Sequence, residues 1–153
     1  MDNNLYVTWE EYIVLLEKIK KYVGMTNNQV IVGLARGGLI PAVYLSHALQ
    51  LPMISFDPYL LRPDGRERTS ISLPISPIIS KKILLVDDIL DTGETFVKCT
   101  KFFQDKGFIC TTVSVFYNMS TKISDENKVN FTAAETPNKW VVFPYENTKR
   151  EHF

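Results

Sequence analysis

Apolar residues along the chain fall into two alternating patterns. Trp9, Tyr12, Ile13, Leu16, Ile19 and Val23 recur at the three- and four-residue spacing of one helical face. Thr8 and Glu11 stand at capping-box spacing before that face, and Gly24 closes it. A short apolar run, Gln29 to Leu34, then predicts a strand. It leads into Ala35-Arg36-Gly37-Gly38, and a helix resumes near Leu39 with Pro41 tolerable in its first turn. Met53 to Phe56 predicts a second strand. Ile83 to Val86 is apolar at every position, bounded by Lys81-Lys82 before it and acids after it, as in a strand buried on both faces. Helical spacing returns from Thr92 to Lys106, with Phe96, Val97, Thr100, Phe102 and Phe103 as the buried face, and stops at Gly107. Ile109 to Phe116 and Lys139 to Glu146 predict two more strands. Alternating strands and helices of this kind predict an α/β fold, a mainly parallel central sheet flanked by helices.

Two stretches escape both patterns. Asp57 to Ser80 contains Pro58, Pro63, Pro74 and Pro77 together with Arg62, Arg66 and Arg68. It is long for a connection inside one domain, which predicts a lid or a hairpin over a site. Its alternating Ser70-Ile71-Ser72-Leu73 suggests a strand. Tyr117 to Asn138 reads as polar and irregular.

Composition narrows the class. The 153 residues suit a single domain, 1–153, and a formal net charge of zero gives no basic field for nucleic acid or membrane. Cys99 and Cys110 are isolated and read as free thiols in apolar surroundings. Met1-Asp2-Asn3-Asn4 lacks the pattern of a secretory leader, and no apolar run approaches a membrane span, so a cytoplasmic protein is expected. His47 and His152 receive no role.

Chemistry concentrates in Ile83 to Thr95. Asp87 and Asp88 follow the apolar strand, Asp91 comes three residues later, and Thr92-Gly93-Glu94-Thr95 opens the next helix. Amides at a helix N-terminus favour an anion. Carboxylates beside them accept from hydroxyls or hold a hydrated divalent cation. Together they suit a sugar phosphate. N-terminal capping alone would need one carboxylate, not three and a glycine turn. Arg36, between a strand end and two glycines, offers bidentate donors to phosphate oxygens. No GxGxxG or Walker A sequence is present. A phospho-acceptor receiver domain would spread its acids over several strands and has no use for Thr-Gly-x-Thr.

The stretch resembles the phosphoribosyl pyrophosphate motif of type I phosphoribosyltransferases, over all thirteen positions. Gly33-Leu34-Ala35-Arg36-Gly37-Gly38-Leu39-Ile40-Pro41 looks like the pyrophosphate loop of the xanthine-guanine branch, and Leu5 to Glu10 looks like its opening. Trp140-Val141-Val142-Phe143-Pro144-Tyr145-Glu146 is similar to the C-terminal segment of the purine enzymes. The resemblance implies a Rossmann-like phosphoribosyltransferase fold with a small hood built from the chain ends, residues 117–153 contributing to a base-binding hood. It implies Mg²⁺-dependent transfer of phosphoribosyl from phosphoribosyl pyrophosphate to a purine of the guanine, xanthine or hypoxanthine type, in nucleotide salvage. Implied ligands of the phosphorylated sugar are Arg36, Gly37, Arg68, Asp87, Asp88, Asp91, Thr92, Gly93, Glu94 and Thr95, with Arg66 competing with Arg68. Asp87, Asp88 and Asp91 would be catalytic, Asp88 holding the metal. Asp91, Trp140 and Val141 would meet the base, although Trp140 by pattern alone reads as core. Glu94 would turn its side chain outward. Both members of the acid pair can face one ligand only if the strand has ended before them. A homo-oligomer, dimer or tetramer, is also implied.

The pattern departs at one place. The 6-oxopurine enzymes carry a base-reading lysine just past the strand ending near Phe116. Here Asn118 stands there and Lys122 lies four residues on. An Asn amide can donate to a carbonyl or accept from an amine. The alternative on the same fold is a non-catalytic sensor of nucleotide or phosphoribosyl pyrophosphate.

Overall fold

Parallel strands need crossovers, and the chain supplies them in order. The computed structural model describes residues 3–146. Along them run β1 (Asn4–Tyr6), α1 (Trp9–Val23), β2 (Val30–Leu34), α2 (Leu39–Leu49) and β3 (Met53–Phe56). β4 (Lys82–Leu90), α3 (Glu94–Asp105), β5 (Ile109–Asn118), β6 (Phe131–Thr136) and β7 (Trp140–Val142) follow. The main sheet has the order β3-β2-β4-β5-β6, with every pair parallel. β4 lies at its centre.

The continuous apolar run of β4 has a simple cause. Leu84 and Val86 enter one core with α1 and α2, while Ile83 and Leu85 enter the other with α3. All four side chains are fully buried. A strand covered on both faces has no polar side to alternate with.

α1 starts at a capping box: the Glu11 amide donates to Thr8 Oγ1 at 3.2 Å and the Thr8 amide to Glu11 Oε2 at 2.9 Å. Its buried face is Tyr12, Leu15, Leu16, Ile19 and Val23, and Trp9 and Ile13 are exposed. The inward stripe is therefore rotated from the expected one toward Leu15. On α3 the same correction applies: Cys99 is buried and Val97 exposed. Both cysteines are free, and burial pushes their thiols up to about 12. They stay protonated and poorly nucleophilic at neutral pH.

Three expectations need larger correction. The strand does not end before the acid pair, because β4 continues through Asp87 and Asp88 to Leu90. Residues 70–73 form no strand. Their alternation is real, since Ile71, Leu73 and Ile75 pack on the α3-side core, but the backbone finds no partner and prolines interrupt it. The region 117–138 is not wholly irregular, since β5 runs on to Asn118 and β6 pairs with it. Phe131, Ala133 and Ala134 pack on the α1-side core, and the small alanines made that periodicity faint.

The chain ends meet in a second, two-stranded sheet. β1 and β7 pair in parallel, Asn4 opposite Trp140 and Leu5 opposite Val141. Val141 and Phe143 are buried against α1, so the hood is fastened to the main core. Among the described residues no helix is long and apolar enough to cross a membrane. His47 is exposed on α2, and His152 lies outside the described residues.

Candidate active site

Five connections leave the carboxyl edge of the main sheet, and β4 and the loop after β2 form its middle. The turn after β2, residues 35–38, lies directly against Asp88. A Cβ built on Gly37 would stand 1.9 Å from Asp88 Oδ2 and 2.2 Å from its Cγ. Only glycine leaves room for the carboxylate there. Arg36, Gly37, Leu39, Ile40, Asp88, Tyr145 and Glu146 line a cleft of about 550 Å³. The Tyr145 hydroxyl donates to Asp88 Oδ2 at 3.3 Å. Its ring stacks on Phe143 at 5.3 Å and meets Tyr12 edge-on at 5.9 Å. Burial, and next the Asp88 charge, raise the Tyr145 and Tyr12 phenols far above their ordinary values, so both stay protonated. Among the described residues the buried Tyr12 hydroxyl has no hydrogen-bond partner of good geometry. Sequence reasoning assigned nothing to this tyrosine pair. The only signal was the position of Tyr145 beside Glu146 in the C-terminal motif.

Asp87 does not line that cleft. Its Oδ1 accepts from the Asp88 amide at 2.8 Å. Burial, reinforced by the Asp88 charge, holds its carboxyl well above the ordinary value of 3.8. Asp88 is raised too, first by burial and also by Glu146. The native state therefore keeps protons that the unfolded chain releases above about pH 4. Stability falls as pH rises toward neutral, by up to about 1.4 kcal/mol per pH unit for one such group. Asp87→Asn keeps an acceptor for the Asp88 amide and removes the buried charge. Its melting temperature should exceed that of the parent protein by more at pH 8 than at pH 5. An equal difference at the two pH values would refute the burial argument.

Asp91 lies just past β4, beside the end of β5. Its Oδ1 accepts from Asn118 Nδ2 at 3.1 Å and from Thr121 Oγ1 at 2.6 Å. Among the described residues no hydrogen bond reaches its Oδ2. Thr121 is a further residue that sequence reasoning missed. The turn that follows has Gly93 at φ 83°, a left-handed conformation that favours glycine. A Cβ there would also stand 2.6 Å from the Asn127 carbonyl oxygen. Gly93 caps α3 without a side chain. The Glu94 amide donates to Thr92 Oγ1 at 3.3 Å, and amides in the first turn of a helix favour an anion. Glu94 is exposed, as its charge requires.

The arginines divide. Arg62, Arg66 and Arg68 line a separate cleft of about 530 Å³, which shares no residue with the Asp88 cleft. Arg66 is paired with Asp64 at 2.6 Å. Arg68 Nε donates to the Leu61 carbonyl at 3.2 Å, and its guanidinium lies 5.3 Å from the Tyr59 ring centre. The structure thus joins Arg36 and Gly37 to Asp88 but does not bring Arg66 or Arg68 into that cleft. Trp140 is 72% exposed on the hood, which removes the core reading and leaves its ring as an open platform. The Val141 side chain is buried, so only its backbone can meet a ligand.

Among the described residues no three His, Cys, Asp or Glu side chains converge on a metal position. The arrangement still fits a hard cation. Asp88 and Glu146 share one wall, and burial first, then the Glu146 charge, raise the Asp88 carboxyl. One or two carboxylates, with substrate phosphates and water, are the usual ligands of Mg²⁺.

A parallel sheet with a glycine loop and an acid-flanked anion turn at its carboxyl edge belongs to the α/β proteins that bind ligands at strand ends. The particular family is the phosphoribosyl transferases: the chain belongs to it, since the model of the phosphoribosyl transferase domain matches residues 9–148. A purine phosphoribosyltransferase from Pyrococcus horikoshii Ot3 is 26% identical, with 99% of each chain covered and a TM-score of 0.74. The Helicobacter pylori xanthine-guanine-hypoxanthine phosphoribosyltransferase is 21% identical over 94% of each chain, also at 0.74. A Neisseria gonorrhoeae protein with bound ppGpp is 15% identical over 97% of this chain and 92% of its own, again at 0.74. The last two establish likeness of fold. A search of curated proteins found no match.

Proposed function

We propose that this chain transfers the 5-phosphoribosyl group from phosphoribosyl pyrophosphate to a purine base, forming a nucleoside monophosphate and releasing pyrophosphate. The observation that carries the reading is the placing of Asp88, Asp91 and the amide turn Thr92–Thr95 at the end of one central strand. The likeness to a purine phosphoribosyltransferase across the whole chain supports it.

In this reading the Thr92–Thr95 amides and threonine hydroxyls hold the 5′-phosphate. Asp88 receives a ribose hydroxyl and Mg²⁺, oriented by the Tyr145 hydroxyl. Asp87 keeps the Asp88 backbone in place from below. When bound, Mg²⁺ neutralises charge on the departing pyrophosphate. Arg36 binds the same group with the Gly37 backbone. The exposed Trp140 ring stacks on the base and the Val141 backbone reads its edge. Asp91, with Oδ1 fixed by two donors, turns Oδ2 to the base and accepts its proton or hydrogen bond as the new bond forms. Catalysis then rests on positioning and on charge placed where it develops. Homo-oligomer formation belongs to the same proposal and is read by sedimentation.

The test is pyrophosphate release from phosphoribosyl pyrophosphate and Mg²⁺ with guanine, xanthine, hypoxanthine, adenine and uracil in parallel. Release with purines and not with uracil is expected. Tight nucleotide binding without release on any base would overturn the enzyme and leave a sensor on this fold.

A further inference from the structure

Asn118 closes β5, with its backbone opposite Thr136 of β6 and its side chain against Asp91. Its two amide ends are both committed. Oδ1 accepts from the Ser120 amide at 3.1 Å and from Ser120 Oγ at 2.6 Å. Nδ2 donates to Asp91 Oδ1 at 3.1 Å. A backbone N–H can only donate and an ionised carboxylate can only accept. A flipped amide would therefore set oxygen against carboxylate and N–H against N–H. The short turn itself is held in place. The Met119 amide donates to the Thr136 carbonyl at 3.0 Å, and the Tyr117 hydroxyl to the Thr121 carbonyl at 3.2 Å. Thr121 also ties the turn to Asp91.

We propose that Ser120 locks the Asn118 amide with its nitrogen toward the base, making Asn118 a specificity-determining donor that favours a 6-oxo over a 6-amino purine. This rests on the phosphoribosyl-transfer reading above. The NH₂ group has two hydrogens and Asp91 takes one, leaving one for a ligand beside Asp91. In a purine, N7 and the 6-substituent lie on the same edge. In the proposed reaction Asp91 Oδ2 faces N7, so a group next to that carboxylate meets position 6. A 6-oxygen accepts the free N–H, whereas a 6-amino group opposes it donor to donor. Sites built around a substrate hydrogen bond reject analogues that cannot make it far more strongly than apolar pockets reject a missing methylene. Lys122 is exposed and lies outside the pinned turn, so it does not replace Asn118. Ser120 never touches the base in this account; it is a positioning residue.

Hypoxanthine and adenine differ at position 6, so their kcat/KM ratio reads the device. The parent chain should prefer hypoxanthine by about 100-fold or more. Ser120→Ala should lower that ratio by about tenfold, the loss of one orienting hydrogen bond. Asn118→Leu should remove most of it, and Asn118→Lys, which offers only donors, should restore it. The KM for phosphoribosyl pyrophosphate should stay unchanged in the Ser120 variant, which a general loosening of the fold would not allow. Binding of inosine against adenosine monophosphate by calorimetry gives the same comparison without turnover. Pyrophosphate release with a ratio near one, or a ratio untouched by Ser120→Ala and Asn118→Leu, overturns the lock and leaves the proposed reaction standing. No release with any base and no nucleotide bound overturns both.

Discussion

Gly37→Ala is expected to cost at least about 100-fold in kcat/KM for phosphoribosyl pyrophosphate, the scale of a misplacement of about 1 Å in a positioned group. The reason is space, not backbone conformation. The added methyl would fall 1.9 Å from Asp88 Oδ2. Asp88 is a short side chain on the central strand, and its neighbours leave it little freedom. Either it swings away from the cleft and loses the Tyr145 hydroxyl, or residues 35–38 shift and carry Arg36 with them. The loop resists the second course, since the Gly38 amide donates to the Leu34 carbonyl at 2.9 Å. Overpacking of this kind also destabilises the fold, typically by about 1–3 kcal/mol. Steady-state kinetics and a melting curve measure both. A variant with parental kinetics would show that the contact between Gly37 and Asp88 has no part in substrate binding.

Asp91→Asn should lower kcat by about 10²–10⁴-fold, the range of general acid–base catalysis, with little change in KM for phosphoribosyl pyrophosphate. The amide keeps an oxygen for the Thr121 and Asn118 donors, so the local structure should persist. What it loses is the capacity of the second position to take a proton. Turnover equal to the parent protein would remove Asp91 from the chemistry. A fall in affinity without a fall in kcat would make it a sugar ligand instead.

Much of the framework can be read from side-chain order alone. Strands buried on both faces announce themselves as unbroken apolar runs, as Ile83 to Val86 does. Capped helices announce themselves by residues such as Thr8 and Glu11. β6 did not, because Ala133 and Ala134 carry too little apolar surface to mark a face. The Ser70–Leu73 alternation misled for the opposite reason: it shows which side chains touch a core, and a strand also needs a neighbour to bond. The acidic motif was legible because charge clustered in sequence is costly unless used. Its division of labour was legible in part: adjacent strand residues point to opposite faces, which favours Asp88 as the inner acid and Asp87 as a structural group. That the strand itself continues through both residues was not. Contacts between distant segments were invisible, among them Tyr145 on Asp88, Thr121 on Asp91 and Gly37 under Asp88. Each joins residues from different elements, and spacing along the chain carries no record of them.

The pairing of Asn4 with Trp140 joins segments far apart in the sequence. Among the described residues β7 pairs only with β1, whereas the strand that carries Asp87 and Asp88 sits inside the five-stranded sheet. The aromatic platform therefore depends on the β1 pairing, and the sugar-phosphate half of the site does not. Removing residues 1–6 should leave a protein that still grips the phosphorylated sugar and no longer discriminates what it is joined to.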